Sequence, residues 1–210
     1  FLQAFKRRGY QPEALLKFAE MMGLSEADKT VTKEEFFKIL NHLNKEIIDP
    51  KSDRHFIIRH PVALDIEKAP KISVTLNLHP DLRKGGRHFA TDGHFYIEEN
   101  DHARLEEGKV HRLMDCYNFV RQGNRCMFHS SDYGSYRNAE NKGIILHYVP
   151  RSEESISCDI LLEDGSIVSG YGEPGLEKLK KGDIIQAERF AFLKLDSKLK
   201  NKLTFYYLHA

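Results

Sequence analysis

Asn44 to Leu64 reads NKEIIDPKSDRHFIIRHPVAL, and the chain changes its hydrophobic period inside it. Upstream, Phe36, Leu40, Leu43 and Ile47 recur at helical spacing behind Thr32 and Glu35, a capping-box pair in which each side chain satisfies the other's orphan amide. Asp49-Pro50 stops that helix, because proline has no N–H to continue it and clashes with the preceding turn. Downstream, HFIIRH and VALDIE are short β-type runs, and the pattern continues to the end.

An earlier helix is expected from Pro12, which suits a first helical position, through Leu15, Phe18, Ala19 and Met22 to a stop at Gly23. Neither helix buries its apolar stripe alone, so the two should pack on each other, on the rest of the chain or on a neighbour. After Pro50 the candidate strands are HFIIRH, VALDIE, ISVTLNL, GHFYIE, VHRLM, CYNFVR, RCMFHS, GIILHYV, SCDILL, AFLKL and LTFYYLH. That is too many for one small barrel. The expected fold is mainly β with an N-terminal helical part: a short helical subdomain over residues 1–54, then two antiparallel β-barrels over residues 55–210. The echo between LEEGKV (Leu105 to Val110) and LKKGDI (Leu179 to Ile184) fits two related units.

Composition narrows the function. The 210 residues are 40% hydrophobic and 30% charged, as in a folded globular protein. No apolar run reaches the ~18 to 20 residues of a membrane span, and the opening FLQAFKRRGY has no signal-peptide pattern, so a soluble intracellular protein is expected. Three cysteines without a C-x-x-C weigh against a disulfide framework or a zinc finger, and eleven scattered histidines form no H-E-x-x-H. The net charge is +1 and the basic and acidic residues are nearly balanced along the chain, so no basic tail is present, although a basic face is not excluded. No Walker-type loop, dinucleotide glycine motif or G-x-S-x-G is present, and acidic pairs such as Glu98-Glu99 sit beside turns, so a self-contained active site is not expected.

Binding signals are stronger. HPDLRKGGRH, residues 79 to 88, sets Arg83, Lys84, Arg87 and His88 around a glycine pair; it is either a solvated hairpin loop or a mobile turn that carries guanidinium groups to phosphates and base edges. HSSDYGSYRNAENKG, residues 129 to 143, interleaves Tyr133, Tyr136 and Arg137 with asparagines; it is either a linker or a set of exposed rings for unpaired bases. Lys198, Lys200 and Lys202 mark a basic hairpin tip suited to solubility, edge protection or a phosphate backbone. The alternating rings of FYYLH, and Cys116, Cys126 and Cys158 within apolar runs, read as core.

Six stretches carry a family resemblance in order along the chain: RRGYQPEALLKF, NKEIIDPKSDRHFIIRHPVAL, HPDLRKGGRHF, FYIEENDHARLEEGKVHRLMD, ILHYVP and IIQAERFAFLKLD. Together they resemble the C-terminal half of archaeal-type glutamyl-tRNA synthetases, class I enzymes. The resemblance implies helices that contact the tRNA stem, two β-barrels that bind the anticodon, and a start just beyond the KMSKS-like loop of a missing N-terminal catalytic domain. It implies a cytoplasmic parent enzyme that joins glutamate to tRNA with ATP and magnesium, while this segment has no cofactor of its own and is inactive alone. Partners are a glutamate-accepting tRNA, and a glutamine-accepting one if the parent is non-discriminating.

Residue by residue, the resemblance places Arg87 of Gly85-Gly86-Arg87 beside an anticodon base. Arg112, Asn118 and Arg121 fall near the anticodon, Arg112 alternatively as a structural pairing residue. Tyr148 stands where the family usually has Trp in an I-H-W-V-P-like motif, and nothing carries over to residues 129–143. Glutaminyl-tRNA synthetases share the two-barrel plan, but the D-P-x-x-x-R-x-F run favours the glutamyl group. A β-barrel module that docks a protein through an apolar patch is the alternative from another class, motivated by the near-zero net charge; a free-standing enzyme ranks behind both.

Overall fold

The computed structural model describes residues 2–23, 30–200 and 202–210. It opens with three helices, α1 (Leu2–Arg8), α2 (Pro12–Met22) and α3 (Lys33–Ile48). Gly23 caps α2 at φ 73°, and Thr32 and Glu35 form the expected capping box on α3. One 3-10 turn, Asp49–Lys51, then ends the helical part. Tyr10, Ala14, Leu40, Leu43 and Ile48 pack with Phe192 and Leu208 from the end of the chain, so the helices bury their stripes on a β-sheet as well as on each other. Buried Asn44 joins the two parts: its Oδ1 accepts from the Gln11 amide at 2.8 Å, and its Nδ2 lies 3.1 Å from His209 Nε2.

The strands follow as β1 (Asp53–His55), β2 (Ile57–Arg59), β3 (Pro61–Glu67), β4 (Ile72–His79), β5 (Arg83–Thr91) and β6 (His94–Glu98). A short helix α4 (Glu99–Ala103) leads to β7 (Val110–Leu113), β8 (Asn118–Gln122) and β9 (Arg125–Ser130). Helix α5 (Tyr133–Arg137) precedes β10 (Lys142–Leu146), β11 (Val149–Pro150), β12 (Ile156–Leu161) and β13 (Ile167–Gly172). A 3-10 turn (Pro174–Lys178) and β14 (Ile184–Ala187), β15 (Ala191–Leu199) and β16 (Lys202–His209) complete the chain.

Two seven-stranded sheets result. The first runs β10-β7-β8-β9-β3-β6-β11 and the second β1-β14-β15-β16-β12-β13-β2. In each, the two edge strands are neighbours in sequence: Phe56 alone separates β1 from β2, and His147-Tyr148 separates β10 from β11. Each sheet therefore curls until its edges nearly meet, which leaves little unpaired backbone. This is why the expected single strands HFIIRH and GIILHYV are broken in the middle: the buried rings of Phe56 and Tyr148 mark where the chain passes from one edge to the other. The chain enters the second barrel at β1 and β2, builds the first with β3, β6 to β9, β10 and β11, and returns for β12 to β16.

Neither barrel is purely antiparallel, contrary to expectation. The pairs β1 with β14, β12 with β16, β3 with β9 and β7 with β10 are parallel. These pairs join strands that are not chain neighbours, and long connections allow the parallel sense that a tight hairpin forbids.

β4 and β5 pair only with each other and form an arm between β3 and β6. Val74, Leu76 and Phe89 bury one face of it in the first core. Residues 79–88 are thus mostly strand, not a mobile glycine turn. The reversal falls at Pro80–Leu82, where His79 Nδ1 accepts from the Asp81 and Leu82 amides, both at 3.2 Å. Gly85 (φ 67°) and Gly86 (φ 97°) lie inside β5 near a register shift, and a Cβ on Gly86 would sit 2.4 Å from Leu78 Cδ1. The glycines supply a bulge conformation that L side chains resist.

Candidate nucleic-acid interface

The arm brings Arg87 onto the second barrel, where it is 3% exposed. Its Nε and Nη2 donate to the two carboxylate oxygens of Glu173 at 2.8 and 2.7 Å, and Nη1 donates to Glu188 at 2.7 Å. Glu173, fully buried after β13, also meets His55 Nδ1 at 2.7 Å and accepts from the Phe56 amide at 3.0 Å. Burial alone would raise its carboxyl, but the His55 hydrogen bond and the Arg87 charge outweigh it and hold the group down at about 2. The Arg87 guanidinium lies 4.3 Å from the Phe56 ring centre, and His147 stacks on that ring at 4.5 Å. Burial, with help from Arg189 and Arg87, pushes His147 down to about 3 and keeps it neutral. Arg87 therefore ties the barrels together, its guanidinium covered by Glu173 and by the partly exposed Glu188.

Arg83 is likewise engaged. Its three nitrogens donate to Asp53 Oδ1 (2.6 Å), Pro50 O (2.8 Å) and Ser52 O (3.0 Å), so it anchors the arm's tip to the start of β1. Lys84 beside it is exposed. Arg121, half-buried, donates to Leu105 O at 2.8 Å and Gly123 O at 3.1 Å and holds the preceding loop against β8.

Arg112 and Asn118 act on residues 130–132. Both are buried, at 5% and 0% exposure. Arg112 Nη1 donates to Asn118 Oδ1 at 2.8 Å and to Ser131 O at 3.2 Å; Asn118 Nδ2 donates to Ser130 Oγ at 2.8 Å and Asp132 O at 2.7 Å. This stretch is thereby a fixed segment that starts α5, with Asp132 as its cap. Of its two rings only Tyr133 is presented to solvent. Tyr136, expected as an exposed ring, is buried with its hydroxyl donating to Gly143 O at 2.8 Å, and Arg137 is exposed. Asn118 and Tyr136 are thus buried and hold this segment from within.

The lysine tip of β15 and β16 borders a groove of about 440 Å³ opposite Gly86 and His88. Lys178, Lys198 and Lys200 share it with Glu153, Glu154 and Glu177, so the groove offers no net positive field to a phosphate. Among the described residues no group of three or more His, Cys, Asp or Glu side chains is placed to hold a metal ion, and no helix is long and apolar enough to cross a membrane.

Residues 52–128 match the family described as tRNA synthetases class I (E and Q), anti-codon binding domain. This span is similar to the anticodon-binding domains of the class I glutamyl and glutaminyl tRNA synthetases. The glutamate–tRNA ligase of Methanocaldococcus jannaschii is 34% identical over 213 residues, covering 99% of this chain and 37% of that enzyme. That of Methanococcus maripaludis (strain S2) is 33% identical over 212 residues, with the same coverages. That of Methanopyrus kandleri is 34% identical over 207 residues, covering 93% of this chain and 35% of the enzyme. The chain thus spans little more than a third of the curated relatives it matches. The anticodon-binding span runs from β1 into β9 and holds Arg83, Lys84, Arg87, Arg112, Asn118 and Arg121; Tyr133, Tyr136 and Arg137 lie beyond it.

Sequence reading missed Glu173 and Glu188, which decide what Arg87 can do. The only signal was their charge, since they stand 86 and 101 residues from the arginine they pair.

Proposed function

We propose that this chain is the anticodon-reading part of a glutamate–tRNA ligase whose remaining part joins glutamate to tRNA with ATP in the cytoplasm. The observation that carries the reading is the match over nearly the whole chain to glutamate–tRNA ligases, with an anticodon-binding domain inside it. Residues 1–54 would face the stem and residues 55–210 the anticodon. A glutaminyl parent is the weaker reading, because the relatives named above are glutamate–tRNA ligases.

On this reading the exposed Lys84, Tyr133 and Arg137 meet RNA first. Arg83, Asn118, Arg121 and Tyr136 shape the surface from beneath, Arg112 both holds Ser131 and offers its charge under Tyr133, and Arg87 contacts a base once Glu188 yields. Phosphate contacts by Lys and Arg supply most of the affinity, and base contacts the discrimination. Footprinting of a glutamate tRNA transcript with the chain should protect the anticodon loop and adjoining stem. Protection confined to the acceptor end, or none, would defeat the proposal.

A further inference from the structure

We propose that Tyr133 is a stacking platform for an unpaired nucleobase, with Arg112 beneath it as the charge that receives the adjoining phosphate. This rests on the tRNA-binding reading and adds a site outside the matched anticodon-binding span.

Tyr133 is 54% exposed, yet its surroundings are fixed. The carbonyls of the two residues before it accept from Arg112 and Asn118, and the Asp132 carboxylate accepts from the Ser135 amide and hydroxyl, both at 2.7 Å. Behind the ring, the Arg112 guanidinium carbon lies 5.5 Å from its centre and the Tyr136 ring 6.2 Å away at a 36° tilt. Tyr136 is itself pinned by its hydroxyl. An aromatic ring held this way loses little freedom when a ligand covers it, so contact area converts efficiently into affinity.

The charges around the ring select the ligand. Arg112 is buried, both its hydrogen bonds leave from Nη1, and no carboxylate among the described residues lies within ion-pair distance of it. The Asp132 carboxylate acts on it only from beyond ion-pair distance, and an arriving anion relieves the cost of a buried charge so weakly compensated. Arg137, four residues on in α5, is exposed and has no ion pair among the described residues. Ile145, Cα partner of Arg112 across β10 and β7, adds a 37% exposed apolar side chain. A ring, two guanidinium groups without a direct ion pair among the described residues and a small apolar surface fit a base with its phosphate. A protein partner would need a broader apolar patch.

The chain contains no tryptophan, so Tyr133→Trp places a single reporter at the site. Ile167→Trp, at a 61% exposed position on β13 of the other barrel, is the control. Each is titrated with a glutamate tRNA transcript. Fluorescence at position 133 should be quenched and that at 167 left unchanged. Tyr133→Phe should bind within about twofold of the parent, and Tyr133→Ala about 5- to 150-fold more weakly at an unchanged salt slope, since a stacked base and no ion pair is lost. If the parent chain binds tRNA while neither Tyr133→Ala nor the reporter responds, the platform is wrong and the tRNA-binding reading stands. If the parent chain binds no tRNA, both fall together.

Discussion

Glu173→Gln tests the joint between the barrels. The substitution keeps the shape of the side chain and removes its charge, which imitates permanent protonation of a carboxyl whose ordinary value of 4.5 is held down at about 2. The sign follows from that depression: the charge stabilises the fold above the unfolded-state value and stops doing so as pH falls towards 2. A shift of this size corresponds to about 3 kcal/mol at pH 7, with roughly half remaining at pH 3. The figure agrees with the ~3 to 5 kcal/mol lost when one partner of a buried pair is removed. Urea unfolding of both proteins at pH 7 and pH 3 reads the difference. A loss below about 1 kcal/mol at pH 7, or a gap that does not shrink in acid, would refute the assignment of Glu173 as the charged centre of the cluster.

Other consequences follow from the packing. Gly170→Ala would put a Cβ 2.1 Å from Ile58 O, at the β13–β2 pairing that brings the second barrel towards closure, so it should cost at least ~2 kcal/mol in a thermal or urea melt. Asn118→Ala removes a fully buried amide that makes three hydrogen bonds and should cost ~1 to 3 kcal/mol, with faster amide exchange around Asp132 as the local sign. Burial pushes the thiols of Cys116 and Cys158 up to about 11 and about 12 and raises that of Cys126 too, but Cys126 is only half-buried and so the most accessible of the three. A thiol reagent at neutral pH should therefore label Cys126 first and the other two only on unfolding.

The parts of the fold that sequence reading reached are those specified locally. Pro12, Gly23, Thr32 and Glu35 act within a turn of their own backbone, and α2 and α3 lie where these residues place them. β3, β4 and β9 alternate or hold enough branched and aromatic residues to show themselves. β13, Ile167–Gly172, escaped because its two glycines and serine read as a break; Gly170 and Gly172 are there because the Ile58 carbonyl and the Leu176 side chain occupy the space of their Cβ atoms. β5 escaped for a similar reason, its glycine pair forming a bulge.

The candidate interface was legible as composition but not as geometry. The basic stretch at 79–88 was visible, yet whether its arginines are free depends on Asp53, Glu173 and Glu188, which only the folded chain brings near. Tyr133 and Tyr136 look alike in sequence. One ring lies in solvent and the other beneath the segment, where its hydroxyl meets Gly143 O from the start of β10, a contact that only the folded chain supplies.

The central claim is that this chain reads an anticodon. Its most direct test is the affinity of the chain for a glutamate tRNA transcript and for the same tRNA with its anticodon replaced, each titrated with salt. The account predicts binding that weakens steeply with salt for both RNAs, through the shared phosphate contacts, and tighter binding of the transcript with the glutamate anticodon at every salt concentration. Equal affinities for the two RNAs, or binding indifferent to salt, would contradict it.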